Sequence, residues 1–288
     1  MYERVRAYVP APMLRLATMT RRSYRLWRIR QQLAGMPEPE PGTQPVPPPR
    51  FLVDWLGIGG GDFGSIGQQF VGFLRDNCDI REGASVLDVG CGLGRIAVPL
   101  AHYLGSEGTY MGIDISSEAI AWCRKTITSL FPNFLFQVSD IHNAAYNPKG
   151  RMSATGFTFP YADGAFTCVF AISVFTHMRP AEVKRYLAEI ARVLQPKGKC
   201  LLTFFILNEE STRLIREGKA QFAFAHEAGG CWTTNKAVPE AAIAYAEPDL
   251  RGMLAEAGLD VIEPIRYGSW CGRDKYTSGQ DMVIVRRT

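Results

Sequence analysis

The most constraining feature of this sequence is a glycine-rich turn between a short apolar run and a helical stretch. Residues 86–94 read Val-Leu-Asp-Val-Gly-Cys-Gly-Leu-Gly. This order predicts a buried strand, a tight turn and a helix, so that backbone amides and the helix N-terminus face a ligand. A dinucleotide fingerprint needs glycine where this chain has Arg95, and Asp88 lies beside the turn. A carboxylate there disfavours a pyrophosphate and favours an amino-acid cation, so the motif argues against NAD and FAD.

From Phe51 onward the sequence alternates between apolar runs and amphipathic stretches. The predicted strands are Ser85–Val89, Tyr110–Ile113, Phe134–Val138, Phe166–Ile172, Cys200–Phe205, Val261–Tyr267 and Met282–Val285. Helices are predicted between them, including one that begins at Pro180 and one over Asp249–Ala257. We expect Pro99 to kink the helix that follows the glycine turn. The alternation predicts an α/β protein with a doubly wound, mostly parallel sheet.

The first 36 residues form a basic arm. They contain eight arginines and one acidic residue, so their net charge is +7. Because the net charge of the whole chain is +4, the remaining residues carry −3. Residues 14–33 have a helical pattern with an apolar face and an arginine face. This pattern favours a helix that packs on its own domain or on a sister subunit in a dimer. Peripheral attachment to an anionic membrane at the inner surface is the second interpretation, and nucleic acid binding is disfavoured.

Residues 37–50 contain seven prolines and predict a semi-rigid spacer of polyproline II type. The spacer separates the arm, residues 1–36, from a domain over 51–288, and we therefore expect that the arm can be removed without unfolding the domain. Seven scattered cysteines without a CxxC pair predict neither a disulfide framework nor a metal site. Together with the lack of a long apolar run, they predict a cytoplasmic protein that is neither secreted nor transmembrane.

Four motifs in register resemble those of class I S-adenosylmethionine-dependent methyltransferases. Asp88–Gly94 is similar to the first motif of that family, and Gly112-Ile113-Asp114 ends the second predicted strand. Ser139-Asp140-Ile141 follows the third strand, and residues 171–177 close the fourth. The resemblance covers residues 51–288 and leaves out the arm and the spacer.

The resemblance implies a seven-stranded sheet with an antiparallel last strand, S-adenosyl-L-methionine as cofactor and S-adenosyl-L-homocysteine as product. It implies that Asp114 accepts hydrogen bonds from both ribose hydroxyls and that Asp140 accepts one from the adenine amine. It also implies that Ile141 packs against the adenine ring. The glycine-rich stretch Gly57–Gly67 is interpreted as a flap over the methionine end, with an inert loop as the alternative. The implied cofactor-binding residues are Asp88, Gly90, Cys91, Gly92, Gly94, Asp114, Ile115, Asp140, Ile141, Ile172 and Ser173.

The acceptor is less well specified. In the family the segment after the fifth strand covers the acceptor, so we expect an irregular lid at about 207–248. The tail over 267–273, with Gln280-Asp281, resembles bacterial methyltransferases found with polysaccharide and glycolipid enzymes. The chain lacks the Pro-Pro-aromatic motif of amino-methylating nucleic-acid enzymes and the acid cluster of a magnesium site. These observations favour metal-free transfer to a small-molecule or glycan/lipid-linked acceptor at oxygen.

Two of the four histidines are candidates for the general base, because histidine titrates near neutral pH. His177 follows the fourth strand, and His226 lies in the expected lid. A capping or packing role for His177 stays open. Two other functions also stay open: a non-catalytic S-adenosylmethionine-binding partner, and a methyltransferase that acts on RNA or protein through the arm.

Overall fold

A computed structural model describes residues 21–56, 62–144 and 146–288 of the chain. Residues 14–20 of the predicted arm helix and 57–61 of the predicted flap lie outside the described residues. The helices are α1 Arg21–Gly35, α2 Arg50–Leu56, α3 Phe63–Cys78, α4 Ala97–Leu104, α5 Ser117–Cys123, α6 Pro180–Val193, α7 Glu209–Arg216 and α8 Glu247–Glu256. The strands are β1 Ser85–Val89, β2 Thr109–Asp114, β3 Phe134–Val138, β4 Phe166–Ala171, β5 Leu194–Phe204, β6 Ile206–Leu207, β7 His226–Glu227, β8 Trp232–Thr233, β9 Ile243–Ala246, β10 Leu259–Val261 and β11 Asp281–Arg287.

Seven strands form the main sheet in the order β10-β11-β5-β4-β1-β2-β3. Strands β3, β2, β1, β4 and β5 pair in parallel, whereas β11 is antiparallel to both of its neighbours. The strands read as continuous apolar runs because helices cover both faces of the sheet. The predicted fold, including its antiparallel last strand, is confirmed.

Helix α1 packs on its own domain. Ile29 and Leu33 are 3% and 7% exposed and belong to the same apolar cluster as α3, α4 and α5. Arg30 Nε lies 2.8 Å from a carboxylate oxygen of Glu118, and Lys125 Nζ donates to the Leu33 carbonyl at 3.1 Å. The apolar face that the sequence predicted for the arm is therefore buried within the chain.

Several predicted elements differ from the observed ones. The predicted strand Val261–Tyr267 overlaps the observed β10, Leu259–Val261, only at Val261. The ladder does not continue to Tyr267, because Pro264 has no N–H to donate to it. Pro99 produces no kink, since α4 begins at Ala97 and places Pro99 in the first turn, where its missing N–H has no intrahelical partner. Strand β5 begins at Leu194, six residues before the predicted start at Cys200, and Lys197 at φ 63° accommodates a bulge.

The segment over 207–248 was expected to be irregular, but it contains α7 and most of a second, four-stranded sheet in the order β6-β9-β8-β7. Phe205, Phe224 and Trp270 form a third apolar cluster beneath it. The pieces of this sheet are two to four residues long, which is too short for a periodic sequence pattern. Within the described residues, no helix combines the length and apolar character needed to cross a bilayer.

Candidate active site

A cavity of about 1030 Å³ opens at the carboxyl ends of β1, β2, β3 and β4. Ligands of open α/β sheets gather at this edge, where the strand order reverses. The cavity wall is built from α1, the glycine turn, the ends of β2 and β3, the segment after β4, and single residues of the 205–242 region and the tail. Its volume is at the upper end of the range for small-molecule sites, so it can hold two ligands side by side.

The glycine turn over residues 90–94 places its backbone against this cavity. Gly90 has φ 83°, and a Cβ there would lie 2.3 Å from a methyl carbon of Val174. Gly92 follows at φ 51° and donates its N–H to Asp114 Oδ2 at 2.8 Å. Gly94 also has positive φ, but its neighbours are Ile127 and Cys123, so it serves helix packing and does not line the described part of the cavity.

Asp114 is held at the end of β2 by two backbone donors. Its Oδ1 accepts the Ser116 N–H and its Oδ2 the Gly92 N–H, each at 2.8 Å. Burial raises the pKa of Asp114, and these two hydrogen bonds oppose the shift. Each carboxylate oxygen keeps a second lone pair, so the group can accept two further hydrogen bonds from a vicinal diol. This geometry fits the ribose of the cofactor that the sequence resemblance implies.

Asp88 lies deeper in the same wall. It is 3% exposed, and its Oδ2 accepts the Tyr110 hydroxyl at 2.6 Å. Burial raises the pKa of Asp88 to about 8, against the lowering effect of that hydrogen bond. The group therefore keeps its proton at neutral pH in the ligand-free protein, and a nearby ammonium group would favour its ionisation.

Asp140 differs from the other candidate cofactor residues. Its Oδ2 pairs with Arg151 Nε at 2.6 Å, and this contact lowers the pKa of Asp140. Its neighbours Ser139 and Ile141 line the cavity, whereas Asp140 is not among the lining residues that the structure describes. The ion pair with Arg151 uses Oδ2, so an adenine contact by this carboxylate would have to use Oδ1 or replace Arg151. Cys91, Ile115, Ile172 and Ser173 all line the cavity.

The segment after β4 carries a strained residue. Ser173 has φ 57°, a left-handed conformation that costs energy for a residue with a side chain. Its N–H donates to the Thr203 hydroxyl at 2.8 Å, and its own hydroxyl donates to Gln280 Oε1 at 3.0 Å. The Thr203 hydroxyl also donates to Gln280 Oε1, at 2.7 Å. Because two hydroxyls occupy the oxygen of Gln280, its amide nitrogen is the end that can donate to a ligand.

Gln280 lines the cavity, although the sequence motifs did not identify it or Thr203 as site residues. The available signal was the position of Gln280 just before the last strand, which the resemblance implies is antiparallel. An antiparallel strand begins at the edge where its parallel neighbours end, so the residue before it lies at the ligand edge. In the structure β11 begins at Asp281, opposite Phe204 at the end of β5.

His177 lines the cavity in a defined tautomer. Its Nδ1 lies 2.9 Å from the Glu240 carbonyl oxygen, and only a protonated Nδ1 can donate to that acceptor. Its Nε2 then carries a lone pair and lies 3.4 Å from the Tyr146 hydroxyl. Burial lowers the pKa of His177, so the ring is neutral at pH 7. A neutral ring whose Nε2 accepts a hydrogen bond from a hydroxyl has the form that a general base requires, and an acceptor hydroxyl would replace that of Tyr146 as its partner.

His226 occupies a different place. It lies in β7, the last strand of the small sheet, where it pairs with Thr233. Among the described residues, the cavity wall does not include it. The two candidate bases are therefore not brought together.

The tail over 267–273 and Asp281 form a buried cluster of hydrogen bonds and ion pairs, here called the clamp. Asp281 is fully buried and accepts the N–H groups of Gly268, Ile206 and Trp270 Nε1, each at 2.7 Å. Arg273 Nη1 lies 3.1 Å from Asp281 Oδ1, and its Nε lies 2.7 Å from a Glu210 oxygen. The clamp connects the tail to β6 and α7, next to Gln280, which directly precedes β11.

Comparisons with known proteins agree with this architecture. A family model described as a methyltransferase domain matches residues 80–258. The chain is 33% identical over 162 residues to the nocamycin O-methyltransferase of Saccharothrix syringae, covering 54% of this chain and 51% of that protein. It is 34% identical over 122 residues to the fatty-acid O-methyltransferase of Mycolicibacterium smegmatis, covering 42% and 37%.

The chain spans about half or less of the length of the first curated relatives that it matches. Among solved structures, the PH0226 protein of Pyrococcus horikoshii OT3 has a TM-score of 0.56 at 18% identity. That alignment covers 83% of this chain and 97% of the other. At this identity the likeness concerns the fold.

Proposed function

The chain belongs to the class I S-adenosylmethionine-dependent methyltransferases, and from this premise we propose that it transfers a methyl group to an oxygen of a small-molecule or glycan/lipid-linked acceptor. The observation that carries the proposal is the neutral His177 ring, which lines the same cavity as Asp114 and whose Nε2 is a hydrogen-bond acceptor for a hydroxyl, that of Tyr146 in the ligand-free protein. A hydroxyl acceptor needs a base of this kind, whereas a thioether or a neutral amine does not.

S-adenosylmethionine supplies, when bound, an electrophilic methyl group on a sulfonium centre. Asp114 accepts hydrogen bonds from the ribose hydroxyls through the free lone pairs of its carboxylate. Asp88 and the glycine turn hold the amino-acid end, where the ionised carboxylate complements an ammonium group. Positioning of this kind can supply about 7–11 kcal/mol of the barrier reduction.

On the acceptor side, His177 Nε2 takes the hydroxyl proton while the Glu240 carbonyl keeps the ring oriented through Nδ1. The amide nitrogen of Gln280 donates to a second oxygen of the acceptor and thereby fixes which hydroxyl reacts. The base contributes about 10²–10⁴-fold to the rate. The names of the two curated relatives, both O-methyltransferases, support oxygen as the receiving atom.

Calorimetry with S-adenosylhomocysteine tests the cofactor half of the proposal. We expect Asp114→Ala to lose at least about tenfold in affinity, since hydrogen bonds to a charged acceptor contribute about 1.5–3 kcal/mol each. Asp163→Ala is the matched control, because that carboxylate pairs with Arg192 at the surface. Equal affinity in wild type and Asp114→Ala would remove the ribose assignment.

A transfer screen with labelled S-adenosylmethionine tests the acceptor half. The panel comprises sugars, nucleotide sugars, glycolipids, phenols and fatty acids, with RNA and protein as comparison acceptors. Labelling of a hydroxyl-bearing small molecule or glycolipid supports the proposal. Labelling of RNA or protein overturns it, and cofactor binding without any transfer favours a non-catalytic binding role.

A further inference from the structure

Helix α1 has two different faces. Leu26, Ile29, Arg30 and Leu33 follow the spacing i, i+3, i+4, i+7 and form the inner face, where Ile29 and Leu33 are buried. Leu26 and Arg30 of this face also line the cavity, together with Ser23. One side of the helix is thus part of the cavity wall.

The outer face repeats the same spacing two residues earlier. It consists of Tyr24, Trp27, Arg28 and Gln31, about 200° round the helix from the inner face. Tyr24 and Trp27 are 41% and 42% exposed, and their rings stack with centroids 6.1 Å apart. Arg28 and Gln31 are exposed beside them. Two large, stacked and exposed aromatic rings on one basic helix indicate an interaction surface.

The charge of α1 indicates what kind of partner. The helix contains five arginines and no acidic residue. Arg30 is paired with Glu118, and the Arg25 guanidinium lies 5.3 Å from the Trp55 ring centroid, so these two serve the fold. Arg28 belongs to the outer face, next to the aromatic pair. Aromatic rings flanked by arginine are typical of helices that lie in the plane of an anionic bilayer surface.

We infer that the outer face of α1 docks on an anionic lipid surface. The aromatic pair enters the headgroup region, and arginine meets lipid phosphate. The inference deepens the proposed function, on which it rests for the acceptor: the same helix walls the cavity, so docking brings the site to the membrane, where a lipid-linked acceptor resides.

Two other occupants fit the observations less well. A polynucleotide would extend past the helix onto a body that carries −3, which opposes a long polyanion. A second copy of the chain would bring two arginine-rich helices together, and their like charges would oppose that contact.

Co-sedimentation of the full chain with vesicles tests the inference. The vesicles contain phosphatidylcholine alone or with about one third phosphatidylglycerol, at low and at moderate salt. We expect binding to the anionic vesicles only. Tyr24→Ser combined with Trp27→Ser should weaken binding at least about tenfold, and Arg28→Glu about fivefold or more. Tyr276→Ser, which removes a 61% exposed aromatic elsewhere, is the matched control and should bind as wild type.

Each variant is also titrated with S-adenosylhomocysteine, so that loss of folding is not mistaken for loss of docking. The inference is overturned if the full chain does not bind anionic vesicles, or if the double variant binds them as wild type does. It is also overturned if the double variant loses only self-association in sedimentation velocity, or only binding to a labelled RNA. Unchanged vesicle binding without S-adenosylhomocysteine binding would instead count against the proposed function alone.

Discussion

The proposed chemistry depends on which nitrogen of His177 carries a proton. The Glu240 carbonyl fixes it on Nδ1, and burial keeps the ring neutral. His177→Asn retains a donor toward Glu240 but removes the base. We expect it to lower kcat at least about 10²-fold, with the affinity for S-adenosylhomocysteine unchanged.

The pH profile gives a second readout for His177. Because its pKa is lowered, the acid limb of kcat/KM for wild type should lie below about pH 6.5. The matched variant is His226→Asn, which we expect to keep wild-type turnover. If His177→Asn keeps wild-type turnover and the same pH profile, His177 is a packing residue, and a loss in His226→Asn alone would place the base in the small sheet.

The raised pKa of Asp88 predicts how the free energy of unfolding depends on pH. Its pKa in the fold is about 8, well above about 3.9 in the unfolded chain. Between these values the folded state holds a proton that the unfolded state has lost, so the contribution of Asp88 to stability is largest below about pH 4 and falls as the pH rises toward 8. We expect wild type to lose about 1.4 kcal/mol per pH unit relative to Asp88→Asn across pH 5.5–7.5. Urea unfolding without cofactor at several pH values measures this difference. If the free energy of unfolding depends on pH in the same way in the two proteins, the raised pKa of Asp88 is contradicted.

At the site, the sequence could predict the residues whose position follows from a strand end. Asp88, Asp114 and Ser173 all lie at such ends, and the structure brings them to one cavity. Thr203 and Gln280 were missed because their role depends on which strands become neighbours, and only the β5–β11 pairing places them together. For Asp140, the nearby Arg151 competes for the carboxylate, and sequence spacing does not reveal such a contact.

At the scale of elements, α1 is less separable than its proline-rich spacer suggests. Ile29 and Leu33 are buried against the domain. We expect Ile29→Ala and Leu33→Ala each to lower the free energy of unfolding by about 2–5 kcal/mol, whereas Gln31→Ala on the exposed face changes it little. Removal of residues 1–36 should likewise destabilise the domain. Urea denaturation checks all four proteins, and unaltered midpoints in Ile29→Ala, Leu33→Ala and the truncated protein would mean that the arm contributes nothing to the stability of the fold.

The clamp between the tail and the small sheet makes a prediction of its own. Asp281→Ala leaves the buried Arg273 with Glu210 as its remaining carboxylate partner and leaves three buried N–H groups without their acceptor, so we expect a loss of about 3–5 kcal/mol. A second change, Arg273→Met, should restore part of that loss, because it removes a buried charge that has lost its buried partner. Denaturation of the two single variants and the double variant measures the coupling, and simple additivity would show that the pair is not a unit.

The buried parallel strands β1 and β3 were more predictable than the two-residue strands of the small sheet for a physical reason. β1 and β3 have their predicted bounds, since a buried parallel strand is a continuous apolar run that ends at a turn residue. β7 and β8 have two residues each, so no periodicity precedes their pairing. Their existence depends on the tertiary cluster around Phe205 and Trp270.

At the scale of the whole molecule, the cavity is assembled from segments that are far apart along the chain. Ser23 and Leu26 come from α1, and Gln280 directly precedes β11. During synthesis the cofactor can therefore find its complete site only after Gln280 has left the ribosome. A ligand that binds only the folded state can stabilise the protein only after its binding site has formed. We thus expect S-adenosylmethionine to protect the finished protein from degradation but to give no help to a nascent or prematurely ended chain.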